Sequence, residues 1–232
     1  MKPDIIVCWP TNCDYPLWRK FIRRSRSDFQ DVIIVITKAN QGFDYSDFVR
    51  HEMNKLGCLV LDSPVLKPGD DWRNIGVNFG LKYSRSSWVW FTEQDFYPKV
   101  AMWKEVVWAV NNGVGISAVF EGERMHPCCI FVLRAIVDAT GRNFGIVEGQ
   151  MDHFGMFRED VRKQQTYMIQ KDLYEHLSGL SHNFRLMSDG QQPNYHPERF
   201  EHYIIDCLEC GEVLHPEFIR VCKKYINTEK IR

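Results

Sequence analysis

The stretch that decides the fold is Asp71-Trp72-Arg73-Asn74-Ile75-Gly76-Val77-Asn78-Phe79-Gly80-Leu81-Lys82-Tyr83, with the apolar run Trp88-Val89-Trp90-Phe91 and the acidic turn Thr92-Glu93-Gln94-Asp95 after it. The first part has helical spacing over Asp70–Tyr83. The second is a short, wholly apolar run of the kind a strand buried on both faces requires. The same alternation precedes it. Asp4–Trp9, Val32–Thr37 and Cys58–Asp62 read as strands, and Pro16–Arg26 and Tyr45–Leu56 as the helices between them. Buried strands separated by amphipathic helices imply an α/β, Rossmann-like, mostly parallel sheet with helices on both faces, joined by right-handed crossovers.

The chain changes character after residue 98. Lys99–Asn112 reads as a helix stopped by Asn111-Asn112-Gly113. Val114–Phe120 and Cys128–Leu133 read as strands, and Ala135–Thr140 as a short helix before Gly141. Residues 143–160 are rich in Gly, Asp and Glu without periodicity, the mark of a functional loop. Glu159–Leu177 has helical spacing, and Arg199–Cys210 and Pro216–Ile226 read as terminal helices split by Gly211. No linker or repeat breaks the 232 residues, so a single domain is expected.

Composition narrows the function classes. Aromatic residues make up 13% and hydrophobic residues 44%, enough to build a core and exclude a disordered chain. The formal net charge is −1, so any polyanion must be held by a local patch rather than by a global field. The longest apolar runs, Ile5–Trp9 and Val32–Ile36, are strand-sized, and no membrane partner is expected. The eight cysteines read as reduced, buried thiols, and the expected location is cytoplasmic.

In open α/β sheets, ligands bind beyond the carboxyl ends of the strands. Those ends carry Pro10-Thr11-Asn12, Thr37-Lys38, Asp62-Ser63 and Thr92-Glu93-Gln94-Asp95. Two carboxylates at i and i+2 in a tight turn can converge on a hard cation, Mn²⁺ or Mg²⁺, which prefers oxygen ligands and adds substrate phosphates. The alternative is a solvated acidic turn.

The helix with Arg73, Asn78 and its glycines, the strand Trp88–Phe91, the acidic turn, and the opening Val7-Cys8-Trp9-Pro10-Thr11-Asn12 together resemble the nucleotide-sugar half of type-A-fold glycosyltransferases, family-2-like members among them. The resemblance covers residues 4–97 well and the remainder loosely. It divides the chain into a nucleotide-sugar half (1–97), an acceptor and catalytic half (98–195) and C-terminal helices (196–232). It implies a UDP-sugar donor, a metal on Asp95 with help from Glu93, and nucleotide contacts from Pro10, Thr11, Asp62, Arg73, Asn78, Glu93 and Gln94. The family motif has Asp where this chain has Glu93, so Asp95 is the safer metal ligand. Helix capping and surface pairing are the plain alternatives for Arg73 and Asn78. The resemblance also implies a general base in a loop after the acceptor-side strands. Asp152 fits that place, with Glu148 in reserve, and capping of a following helix is the alternative. A histidine near the end of the catalytic core completes the metal shell in some members; His182 resembles that position, ahead of His153 and His126.

Two further signals compete. Trp18, Arg19, Arg23 and Arg26 lie on one short helix, with the three arginines on one face through i, i+4 and i+3 spacing. Such a stripe suits nucleic acid, and a viral DNA-modifying subgroup would take hydroxymethylated pyrimidines in DNA as acceptors. A saccharide or small-molecule acceptor is the alternative, as is a solvated helix face. Cys207, Cys210, His215 and Cys222 come close to zinc-knuckle spacing, but buried thiols packing two helices are the simpler reading. Nucleotidyl transfer is a rival on the same sheet, disfavoured because the exit of the first strand has no glycine to cradle phosphate. A non-catalytic nucleic-acid-binding module is the other rival.

Overall fold

The structure, a computed structural model, describes residues 2–10, 14–37, 43–67, 70–121, 124–139, 141, 144, 166–177 and 179–226. Its strands are β1 (Asp4–Pro10), β2 (Val32–Thr37), β3 (Leu59–Asp62), β4 (Trp88–Thr92), β5 (Phe96–Pro98), β6 (Ile116–Glu121), β7 (Arg124–Leu133), β8 (Thr166–Met168) and β9 (Tyr174–His176). Seven of them form one sheet in the order β3-β2-β1-β4-β7-β6-β8, while β5 and β9 pair as a separate ribbon. Within the large sheet only β7 runs against the others, so the sheet is mostly parallel. The helices are α1 (Pro16–Ser25), α2 (Ser46–Lys55), α3 (Trp72–Leu81), α4 (Met102–Asn111), α5 (Arg134–Ala139), α6 (Leu180–Ser188), α7 (Pro197–Glu209) and α8 (Pro216–Tyr225). No helix among the described residues is long and apolar enough to cross a membrane.

The period of two along a strand divides the core. In β1, Ile5, Val7 and Trp9 join one cluster, while Ile6 and Cys8 join the other. In β2, Val32, Ile34 and Ile36 face the first side, and Ile33 and Val35 the second. The first cluster is closed by Trp18 and Ile22 of α1, Trp103 of α4, Phe184 of α6 and Phe218 of α8. The second is closed by Val77 and Leu81 of α3 and Val137 of α5. Trp90 lies at the centre of the first, stacked on Phe131 of β7 with ring centroids 4.6 Å apart.

Helix α3 lies unusually close to the sheet, and its glycines are the reason. A Cβ at Gly76 would stand 2.6 Å from Cys8 Sγ, and one at Gly80 would stand 2.8 Å from Ile6 Cγ2. The helix starts where Asp71 accepts the Asn74 N–H at 3.1 Å, an N-cap that satisfies an otherwise orphaned donor. The chain leading into β4 is pinned by buried Asp4, whose Oδ2 accepts from Ser84 Oγ, Arg85 N and Ser86 N at 2.7–2.8 Å. Together these contacts fix the strand that carries the acidic turn.

The helix expected over Glu159–Leu177 is not what the described part of that segment forms. Residues 166–177 contain β8, a short 3-10 turn at Lys171–Leu173, and β9. The apolar spacing is satisfied by sheet pairing instead: Phe96 of β5 stacks on Tyr174 of β9 at 5.0 Å, and Leu177 N donates to Asp95 O. Tertiary pairing overrides local helical periodicity here. Helix α6 and strand β5 were not anticipated.

Candidate functional site

The turn after β4 is held from several sides. Thr92 Oγ1 and Glu93 N both donate to Cys128 O, at 2.9 and 3.2 Å. Phe96 N donates to Glu93 O, closing the turn, and Gln94 Nε2 donates to the Tyr15 hydroxyl at 3.3 Å. Antiparallel pairing of β5 with β9 sets Phe96 opposite His176, which brings the histidine over the turn.

One ligand atom each from Glu93, Asp95 and His176 lies within 4.8 Å of the other two. His176 Nε2 is 3.5 Å from Glu93 Oε2 and 3.5 Å from Asp95 Oδ1. Arg73 Nη2 approaches the other carboxylate oxygen, Glu93 Oε1, at 2.7 Å. The three side chains are only 11–14% exposed. Even so, Asp95 Oδ1 and His176 Nε2 are buried with no partner in hydrogen-bond geometry among the described residues.

The electrostatics follow from this crowding. Burial opposes ionisation of Glu93, but the Arg73 guanidinium and His176 outweigh it and hold the carboxyl down at about 2. Burial also opposes charging of His176, yet the Asp95 and Glu93 carboxylates push it up to about 10. A proton therefore sits where the donor set suits a divalent ion: two carboxylates and one imidazole, partly desolvated and already convergent. The set fits Mn²⁺ or Mg²⁺ by its oxygen ligands, and Mn²⁺ better because of the nitrogen.

Beside His176 opens a cleft of about 460 Å³, lined among others by Lys99, Glu121, His126, Lys171, Tyr174 and Arg199.

The expected site residues separate into three groups. Arg73, Glu93, Gln94 and Asp95 are brought together. Asp62, the last residue of β3, is an exposed surface carboxylate paired to Arg50 at 2.6 Å. Asn78 is occupied within α3, where its Nδ2 donates to Asn74 O and Oδ1; Asn74 Oδ1 in turn accepts Phe144 N. Pro10 ends β1, whereas Thr11, Glu148, Asp152 and His153 lie outside the described residues.

Two expectations need correction. His182 does not join the carboxylates: in α6 its Nδ1 accepts from Arg185 and its Nε2 lies 3.2 Å from Asn194 Oδ1. The convergent imidazole is His176, hidden in sequence because Tyr174-Glu175-His176 was read as a helix end. The available signal was Phe96-Tyr97-Pro98, a short strand directly after the acidic turn that needed a partner.

The second correction concerns the basic helix. Trp18 and Arg19 are completely buried, and Arg19 forks onto Asp14 at 2.8 and 3.2 Å while donating to Val213 O. Arg23 pairs with Glu212, and Arg26 donates to the carbonyls of Phe29, Gln30 and Gly57. Arg19 and Arg23 of α1, and Arg26 just after it, bind their own chain. The Cys207, Cys210, His215 and Cys222 set forms no convergent metal cluster among the described residues. The three thiols are buried, and His215 caps α8 by accepting Glu217 N while its ring sits among Phe43, Tyr45 and Phe48.

The sequence matches no protein-family profile and no curated protein sequence. Solved structures do resemble the fold. A mannosyltransferase from Pyrobaculum calidifontis, in complex with GDP-Man and Mn²⁺, superposes with a TM-score of 0.55 at 14% identity, over 96% of this chain and 68% of that one. TarS 1–349 from S. aureus, in complex with UDP, gives 0.54 at 12% identity, over 99% of this chain and 72% of that one. The chain spans only 43% of a longer TarS structure. A 4-diphosphocytidyl-2C-methyl-D-erythritol synthase from Anaerococcus prevotii gives 0.50 at 10% identity, over 74% of this chain and 90% of that one. The type-A glycosyltransferase-like α/β fold expected from the sequence is thus the observed one. The third neighbour shows that the chemistry must be argued from the site.

Proposed function

We propose that the chain is a divalent-metal-dependent glycosyltransferase that moves a sugar from a nucleoside diphosphate, UDP in the first instance, to a hydroxyl acceptor. The observation that carries this reading is the convergence of Glu93, Asp95 and His176 at the carboxyl end of β4. It is supported by the fold shared with proteins whose complexes hold GDP-Man with Mn²⁺, or UDP.

The residues that would hold the cation are Asp95, Glu93 and His176. When bound, it supplies positive charge to the diphosphate leaving group. Arg73 stands next to Glu93 and adds a fixed positive charge on the same side. Asp62, exposed at the end of β3, is assigned a ribose hydroxyl in this reading, and Pro10 and Thr11 further nucleotide contacts. Gln94 and Asn78 act by holding the turn and α3 rather than by touching the nucleotide. Asp152 is assigned the acceptor proton, with Glu148 in reserve, so that the attacking hydroxyl becomes an alkoxide as the sugar–phosphate bond breaks.

The cleft beside His176 is the acceptor side in this reading. Its narrowest form is a viral, cytoplasmic enzyme acting on hydroxymethylated pyrimidines in DNA. Lys99, Lys171 and Arg199 at the cleft would then supply the attraction for phosphate that α1 does not. A saccharide acceptor fits the same cleft.

A thermal-shift screen of nucleotides with and without Mn²⁺ tests the proposal. UDP with Mn²⁺ is expected to give the largest shift, about 2.7 kcal/mol of stabilisation at a hundredfold excess over Kd, and Asp95→Asn to remove it. Release of pyrophosphate from a nucleoside triphosphate, with no UDP from any UDP-sugar, would instead mark nucleotidyl transfer.

A further inference from the structure

His176 faces a second group of ligands besides the carboxylates. His126 and Cys128 are two residues apart on β7, where the Cys128 N–H donates to His126 Nδ1. One ligand atom each from His126, Cys128 and His176 lies within 4.8 Å of the other two. The two imidazole rings meet edge to face with centroids 4.8 Å apart, and Cys128 is fully buried beneath them. We propose that His126, Cys128 and His176 form a thiophilic cation site that shares His176 with the carboxylate site, so that Zn²⁺ or Cd²⁺ bound there competes with Mn²⁺ or Mg²⁺.

The two donor sets sort ions by hardness. Two nitrogens and a thiolate suit Zn²⁺ or Cd²⁺, whereas two carboxylates suit Mn²⁺ and Mg²⁺. His176 belongs to both sets, so two divalent ions bound at once would stand close together and repel, and occupation of one set disfavours the other. Binding has identifiable costs. The Cys128 thiol must give up its proton to solvent, as must His176, so affinity rises with pH. His126 Nδ1 presently accepts the Cys128 N–H at 3.1 Å, and an ion taken up at that nitrogen replaces the hydrogen bond. The inference rests on donor geometry and does not require sugar transfer.

The test is a titration of the intact, reduced chain with Cd²⁺ alone, read by the ultraviolet thiolate-to-metal charge-transfer band, alongside Mn²⁺ binding read by electron paramagnetic resonance. Cys128→Ser is expected to remove the band and weaken Cd²⁺ binding by about tenfold or more while leaving Mn²⁺ binding unchanged. Asp95→Asn is expected to do the reverse, and saturating Mn²⁺ to weaken Cd²⁺ binding to wild type. Should Cys128→Ser fail to fold, His126→Gln is the substitute, with the same loss of Cd²⁺ and intact Mn²⁺. An unchanged band in Cys128→Ser, or unchanged Cd²⁺ affinity in His126→Gln where that variant is used, overturns the proposal. So does binding of Cd²⁺ and Mn²⁺ without mutual effect. Loss of Mn²⁺ binding without effect on Cd²⁺ in Asp95→Asn supports the thiophilic site whatever the fate of the glycosyltransferase reading.

Discussion

Helix α1 and the turn after β4 each concentrate charge, and the fold treats them in opposite ways. Arg19 and Arg23 of α1 and Arg26 just after it find partners in their own chain: Arg19 on Asp14, Arg23 on Glu212, and Arg26 on three backbone carbonyls. At the turn, His176 stands 3.5 Å from both Glu93 and Asp95, with Asp95 Oδ1 and His176 Nε2 in no hydrogen bond among the described residues. A cluster of like charges whose members are each tied to groups of their own chain holds a fold together. A cluster whose buried donors face each other is arranged for something that comes from outside.

The largest consequence lies on the structural side. Arg19→Ala leaves Asp14 charged and buried without its partner, and is expected to cost about 3–5 kcal/mol in chemical denaturation. A loss below 1 kcal/mol would mean that the pair is not buried in solution and that α1 is free to bind a ligand.

Next comes the close approach that sets Arg73 beside the turn. Gly80→Ala places a methyl 2.8 Å from Ile6 Cγ2 and 3.1 Å from Val35 Cγ2, both on the central strands. It is expected to destabilise by about 1–3 kcal/mol, as overpacking does, read from the denaturation midpoint at constant m-value. A neutral result would show that α3 sits farther from the sheet.

The turn itself should reveal its charges through pH in metal-free protein. Glu93 is held at about 2, below its ordinary 4.5, so its contribution is present above pH 4.5 and fades as pH falls towards 2. His176 is raised from 6.5 to about 10, so its contribution is complete below pH 6.5 and is lost as pH rises towards 10. Thermal melts from pH 6.5 to 10 are expected to fall more for wild type than for His176→Gln. Equal slopes would remove the imidazole from between the carboxylates.

The smallest effect sharpens the contrast from the other side. Arg23 is 49% exposed and pairs with the Glu212 carboxylate, which is 4% exposed but keeps Arg19 Nη1 at 3.6 Å, so Arg23→Ala is expected to cost about 1 kcal/mol. Nucleic-acid affinity, if present, should not fall in this variant. A fall would restore α1 as a binding face.

The same contrast explains what the sequence disclosed. The parallel half was legible because buried β-branched runs such as Val32–Thr37 have few other uses, and that strand appears with the expected bounds. The acidic turn was legible because Glu93 and Asp95 are local to one another. His176 was not, since it reaches the turn only through the β5–β9 ribbon, from about eighty positions away in the chain. The reversed direction of β7 left no local trace either. For α1, the spacing sets Arg19 and Arg23 one turn apart, but what they meet depends on Asp14 and on Glu212, close to two hundred positions further along the chain. Sequence spacing shows which charges share a face and says nothing of what that face meets.

Direct measurement of Mn²⁺ binding, by electron paramagnetic resonance on wild type, Asp95→Asn, His176→Ala and His182→Ala, tests the metal centre most plainly. Tight binding in wild type and His182→Ala, with a loss of about tenfold or more in Asp95→Asn and His176→Ala, is the expected pattern. Equal Mn²⁺ binding in wild type and Asp95→Asn, or none in wild type, would contradict it.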